Sequence, residues 1–163
     1  MRHPLAAALL FAAICILRTD SSFAQIEEVR IGVDGLTCNL CAAGLERSLR
    51  KLDSVSSVQV VLADEGAIVK LKAGAAFDPD TFRTAVKNAG QEARQFELRL
   101  SGVVQPQDGR YSLQPGAGSS LAVGRSSAAK LESYVGGVVR VRATVSSPAR
   151  SPLELELTDV AVR

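Results

Sequence analysis

Two hydrophobic patterns follow one another along this chain of 163 residues, and together they predict an α+β fold in two parts. Up to about residue 100, apolar and polar residues alternate in several stretches, and two other stretches repeat apolar residues every three or four positions. From residue 101 the helical period nearly disappears, and short apolar segments are separated by Gly, Pro, Asp and Ser. We therefore expect strands and two helices first, followed by a small all-β domain.

Strands in the first part are predicted from apolar residues that alternate with polar ones. Each such stretch places one face of a strand in a core and the other in solvent. A turn at Asp64-Glu65-Gly66 joins the second stretch to the third as a hairpin. The predicted strands are centred on residues 29–33, 58–62, 69–71 and 96–100.

Two helices are predicted between these strands. The second begins at Asp78-Pro79, because Asp caps a helix and Pro fits its first turn, and it ends at Gly90. The resulting order is βαββαβ, the plan of a ferredoxin-like sandwich, which we assign to residues 25–100. The first helix has one apolar face, formed by Cys41, Leu45, Leu49 and Leu52.

Residues 101–163 are predicted to form a small OB-like β-barrel. About five short strands, with a short helix at 127–134 between the third and the fourth, are typical of that closed architecture. Because the fourth strand of the sandwich runs almost directly into the first strand of the barrel, we expect a fixed, packed arrangement of the two. The apolar segments are 103–104, 111–113, 121–123, 138–145 and 153–162.

The N-terminus carries the pattern of a secretory signal peptide. Thirteen apolar residues run from Leu5 to Leu17, which is too few to cross a bilayer, since that takes about 20. Ser22 and Ala24 are small residues three and one before a cleavage point ahead of Gln25. We predict a signal peptide at 1–24, export to the periplasm or the exterior, and no stable membrane insertion after cleavage. An uncleaved anchor is the alternative.

A Cys-x-x-Cys pair, Cys38 and Cys41, stands where the first strand gives way to the first helix. Cleavage before residue 25 would leave a chain without Met, without His and without a third Cys. Unpaired N–H groups at a helix N-terminus stabilise thiolates, and thiolates are ligands for Cu(I), Hg²⁺ and Zn²⁺. Two thiolates satisfy a two-coordinate ion, whereas tetrahedral Zn²⁺ takes four ligands. The pair therefore favours Cu(I) or Hg²⁺ over Zn²⁺.

Composition excludes several functional classes. The single His, His3, lies in the predicted signal peptide, so the processed chain could assemble no Ser-His-Asp or Cys-His constellation. No Gly-rich phosphate loop opens a helix either, and we therefore expect a non-enzyme. A formal net charge of +2 and scattered arginines predict no strong attraction to nucleic acid. A thiol-disulfide oxidoreductase and a non-catalytic adaptor with a vestigial metal site remain as alternatives.

The motif Gly-Leu-Thr-Cys-Asn-Leu-Cys at residues 35–41, set in the βαββαβ order, resembles the heavy-metal-associated domain. That family occurs in copper chaperones, at the N-termini of metal-transporting ATPases and in the periplasmic mercury-binding protein. The resemblance covers residues 27–100. With its signal peptide, the chain is most similar in layout to the mercury-binding protein, to which it adds the C-terminal domain.

The resemblance implies that Cys38 and Cys41 bind one soft metal ion and pass it on by thiol exchange. It further implies that Leu36 fills a buried slot where the family usually has Met, a change that keeps the side-chain volume. Gln91 stands near the metal loop, where the family often has Tyr or Lys. The implied role is a metal chaperone, scavenger or sensor accessory, with a membrane metal transporter or another exported protein as partner.

Overall fold

The computed structural model describes residues 25–116, 120–145 and 153–162. The predicted signal peptide at 1–24 lies outside these ranges, and export stays a prediction. Within the described ranges, no helix combines the length and the apolar character that crossing a membrane requires. The helices are α1 (Asn39–Arg50) and α2 (Pro79–Asn88), and the strands are β1 (Gln25–Asp34), β2 (Val55–Val61), β3 (Gly66–Leu71), β4 (Glu92–Gln107), β5 (Arg110–Gln114), β6 (Leu121–Val123), β7 (Val138–Val145) and β8 (Glu154–Val162).

The predicted βαββαβ order is confirmed for the first part of the chain. Strands β2, β3, β1 and β4 lie side by side in that order, and all three pairings are antiparallel. The apolar faces of the helices pack on this sheet through Leu45 and Leu49 of α1 and Phe82 and Val86 of α2, all at most 1% exposed. Removing each of these large side chains from water stabilises the fold by about 1.5–3 kcal/mol.

Helix α2 begins and ends as the sequence predicts. The carboxylate of Asp78 accepts a hydrogen bond from the Asp80 backbone N–H at 3.2 Å, and Pro79 occupies the first turn. After the helix, Gly90 adopts a left-handed conformation with φ +82°, which lets the chain turn towards β4. The next residue is Gln91, whose position is therefore set by the end of this helix.

Strand β4 has 16 residues and belongs to both parts of the protein. One edge pairs with β1 from Glu92 to Ser101 and then with β5 from Val103, while the other edge pairs with β7 from Phe96 to Val103. The separate strands predicted at 96–100 and 103–104 are thus wrong, because they form one continuous strand. The predicted domain boundary between residues 100 and 101 falls inside it.

Two small residues, Ser101 and Gly102, interrupt the apolar alternation along β4, so the hydrophobic pattern does not reveal one continuous strand. Ser101 is only 1% exposed, and its Oγ donates to the Glu27 carboxylate at 2.7 Å. A Cβ on Gly102 would lie 3.1 Å from the backbone oxygen of Gln114, so any larger residue would push β5 away by a few tenths of an ångström. The break in alternation therefore marks a close approach of β5 to β4 and not a loop.

The C-terminal strands form a closed ring of pairings that starts and ends at β4. β4 pairs with β5, β5 with β6, β6 with β8 in parallel, β8 with β7, and β7 again with β4. The helix predicted at 127–134 is present as two 3-10 helices, Arg125–Lys130 and Glu132–Tyr134. Between them Leu131 is fully buried, which anchors the segment to the core of the ring.

A polar contact joins the sandwich to the ring. Glu27 lies at an irregularity in the β1–β4 pairing, and its carboxylate accepts hydrogen bonds from Ser101 Oγ and from Arg140 Nε of β7, the latter at 3.1 Å. The contact ties β1, β4 and β7 together at the place where the two parts meet. In the structure, the two parts are packed on a shared strand.

Replacing Gly102 with Ala should destabilise the protein. The new Cβ would press on the backbone of β5, and overpacking of this kind costs about 1–3 kcal/mol. Urea denaturation followed by circular dichroism measures the change. Gly44→Ala is the matched control, because no atom lies within 4 Å of a Cβ there and it should stabilise α1 by up to about 1 kcal/mol. A Gly102→Ala variant as stable as wild type would contradict the close approach of β5.

Candidate metal site

The segment at residues 35–41, called the cysteine loop below, runs from the end of β1 into the first turn of α1 and is held at both ends. Gly35 has φ +83°, a left-handed conformation that favours glycine, and it turns the chain out of the strand. Leu36 is 3% exposed and inserts into the core, which agrees with the buried slot that the family resemblance implies. After Leu36 the chain returns to the surface, where Thr37, Asn39 and Leu40 are exposed to solvent.

Cys38 is the N-cap of α1. Its backbone is extended, with φ −144° and ψ 155°, and its Sγ accepts a hydrogen bond from the Cys41 backbone N–H at 3.0 Å. No acidic residue stands in the first turn of α1 to offset the positive end of the helix dipole. After reduction, this position stabilises a thiolate at Cys38.

The structure brings the two predicted ligands together. Cys38 and Cys41 form a disulfide, with their Cα atoms 5.1 Å apart. Cys38 is exposed, whereas Cys41 is half-buried and packs against the hydrophobic core. Cys38 is therefore the more accessible of the two sulfurs.

The described residues do not supply a cluster of further metal ligands beside the pair. Within the described ranges, no group of three or more His, Cys, Asp and Glu side chains could hold a metal ion. The nearby carboxylate of Asp34 pairs with Arg94 Nε at 3.3 Å, and the same guanidinium pairs with Glu65. The donor set of the loop therefore consists of two sulfurs, which suits a soft, two-coordinate ion better than Zn²⁺.

Gln91, the residue before β4, contacts the cysteine loop. Its side-chain Nε2 donates to the Cys41 carbonyl at 3.2 Å, and the residue is 6% exposed. Its Oε1 is buried and has no hydrogen-bond partner among the described residues. The family resemblance places this residue near the loop, but no pattern in the sequence indicates the contact, because 50 positions separate the two residues.

Leu40 is a feature that sequence reasoning missed. This side chain stands between the two cysteines and is 83% exposed, the highest value among the exposed large hydrophobic residues of the described chain. The periodicity of α1 gave a signal, since Leu40 falls off the apolar face that Cys41, Leu45 and Leu49 share. The solvent-exposed side chain next to the two cysteines is thus the apolar one of Leu40.

Comparison with known proteins assigns the region around this loop. Residues 30–92 match the model of the heavy-metal-associated domain. Copper-transporting ATPase 1 of Rhizobium meliloti is 32% identical over 80 residues, which are 48% of this chain and 9% of that protein. The copper-exporting P-type ATPase of Vibrio cholerae is 28% identical over 75 residues, or 46% of this chain and 8% of that one. The chain therefore spans less than a tenth of these two curated relatives.

A solved domain gives a match over nearly its whole length. The N-terminal domain of PacS from Synechocystis PCC6803 is 32% identical, and the alignment covers 94% of that domain and 42% of this chain, with a TM-score of 0.36. A copper-binding domain from HMA7, a P-type ATPase, is 26% identical over 92% of its length, with a TM-score of 0.39. Residues 30–92 of this chain are therefore a heavy-metal-associated domain.

Proposed function

We propose that this protein is an exported, non-enzymatic carrier of one soft metal ion, held by the thiolates of Cys38 and Cys41. The observation that carries the proposal is the placement of both sulfurs side by side at the N-terminus of α1. Cu(I) is the first candidate, because relatives of this region are named as copper-transporting proteins. Hg²⁺ is the second, since it also prefers two thiolates.

Uptake and release follow from the different exposure of the two sulfurs. The disulfide must first be reduced, because only the thiolate is a metal ligand. Exposed Cys38 is then the first contact for a donor, and half-buried Cys41 completes the pair from the rigid first turn of α1. An incoming thiol of a partner protein reaches the ion from the solvent side, past Leu40.

Removing either sulfur should abolish stoichiometric binding. In a Cu(I) titration of the reduced protein against a competing chelator, wild type should bind one ion per chain, because two thiolates complete its coordination. Cys38→Ser and Cys41→Ser should lose this binding, whereas Asn39→Ser, a change in the same loop, should keep it. Stoichiometric binding that survives in both serine variants would reject the proposal.

Asp34 should play no part in holding the ion. Its carboxylate is engaged with Arg94, so Asp34→Asn should leave Cu(I) affinity unchanged and should remove only an exposed ion pair, which is worth about 0.2–1 kcal/mol. The Cu(I) titration of the asparagine variant measures this affinity, and the same titration is repeated with Zn²⁺. A large loss of affinity in the asparagine variant would mean that the carboxylate is a third ligand.

Export is part of the proposal and has its own test. The apolar segment and the small residues before Gln25 support cleavage at that point. Protein recovered from the periplasm should begin at Gln25 when its N-terminus is sequenced. Recovery of the intact N-terminus in the membrane fraction would favour the uncleaved anchor instead.

The Cys38–Cys41 disulfide favours thiol-disulfide oxidoreduction as a second candidate function. An insulin-reduction assay separates the two candidates. A carrier should give no turnover above the uncatalysed reaction, while an oxidoreductase should accelerate it in proportion to protein concentration and lose that activity in Cys38→Ser.

For the C-terminal part we propose an OB-like barrel that docks a membrane metal transporter or another exported protein. The closed ring of pairings, the parallel pairing of β6 with β8 and the helical segment between β6 and β7 support this architecture. Nucleic acid is not the proposed ligand, because the net charge is only +2 and the chain has two Tyr and no Trp.

A further inference from the structure

The Gln91 side chain is buried against the loop that carries the cysteines. Its backbone N–H donates to the Val86 carbonyl at 3.3 Å, which fixes the residue to the end of α2. Its Nε2 donates to the Cys41 carbonyl, and its Cγ lies 3.9 Å from the place where a Cβ on Gly35 would stand. The amide therefore contacts the last residue of the loop, and the aliphatic part of the side chain lies near the first.

The other end of the same amide is unsatisfied. Oε1 is screened from solvent and has no donor among the described residues, a condition that is costly for a buried acceptor. Turning the amide over does not relieve it, because Oε1 would then face the Cys41 carbonyl, and two acceptors would meet. In the disulfide form of the loop, Gln91 Oε1 therefore has no hydrogen-bond donor among the described residues.

Reduction adds donors to this loop. When glutathione reduces the pair, the S–S bond breaks and two electrons and two protons are taken up. Two glutathione molecules become one glutathione disulfide, and Cys38 and Cys41 become thiols. A thiol S–H donates hydrogen bonds, whereas a disulfide sulfur has no hydrogen to donate.

We propose that Gln91 is a positioning residue that biases the Cys38–Cys41 pair towards its reduced, dithiol form. Oε1 accepts a hydrogen bond from a thiol of the reduced pair and is left without a donor in the disulfide. The inference rests on the proposed function, because a carrier that works in an oxidising compartment must regain its thiols before it takes up an ion.

The equilibrium between the pair and glutathione tests this proposal. The full chain, expressed with its own N-terminus, is equilibrated in glutathione buffers and alkylated, and mass spectrometry then quantifies the peptide that contains Cys38 and Cys41. In Gln91→Met the bond to the Cys41 carbonyl is lost in both states, so the ratio of the states reports on Oε1. We expect the equilibrium constant to move about tenfold towards the disulfide, which corresponds to a reduction potential about 30 mV more negative.

Gln95→Met is the matched control, because Gln95 is an exposed residue of the same strand. It should leave the equilibrium with glutathione unchanged. A Gln91→Met variant that matches wild type, or that moves towards the dithiol, would overturn the proposal.

A second measurement needs no variant and decides the question if Gln91→Met fails to fold. The side-chain carbonyl carbon of Gln91 is followed by NMR in wild type before and after reduction. A hydrogen bond to Oε1 should move this resonance to lower field on reduction, and an unchanged resonance would overturn the proposal.

Cu(I) titration is scored separately, so that the two proposals can fail independently. A reduction potential that shifts in Gln91→Met, without metal binding by wild type, rejects the carrier function alone. Metal binding by wild type with an unshifted potential in Gln91→Met rejects the role of Gln91 alone.

Discussion

The hydrogen bonding of β4 is the constraint on which the rest of the structure depends. This strand pairs with β1, β5 and β7, so its two edges serve the sandwich and the ring together. Its inward-facing residues Phe96, Leu98 and Leu100 are at most 1% exposed and join one continuous hydrophobic core. Because the parts share backbone hydrogen bonds, neither can shift without breaking pairings in the other.

The cysteine loop takes its shape from the same framework. The loop leaves β1 next to the start of β4, and Gln91, the residue before β4, reaches across to the Cys41 carbonyl. The first turn of α1 is fixed in turn by Leu45 and Leu49, which are fully buried on the sheet. Two sulfurs on an exposed loop thereby acquire defined positions, as a small ligand set requires if it is to select an ion by geometry.

Local signals in the sequence predicted the parts of the fold that depend on local chemistry. The N-cap at Asp78, the turn at Gly90 and the apolar face of α1 were recognisable because each depends on residues a few positions apart. The length of β4 was not, since Ser101 and Gly102 interrupt the alternation for reasons that lie on other strands. The two cysteines were identified from spacing, whereas the contact of Gln91 with them joins distant positions that no periodicity links.

The position of β7 has a consequence for how this protein can be divided into fragments. In a sandwich with the order β2-β3-β1-β4, the last strand leaves one row of backbone N–H and C=O groups open, and such rows promote aggregation. Here β7 occupies that row from Phe96 to Val103. A fragment ending near residue 100 would expose this row, so residues 25–100 rely on the C-terminal part to keep the outer edge of β4 paired.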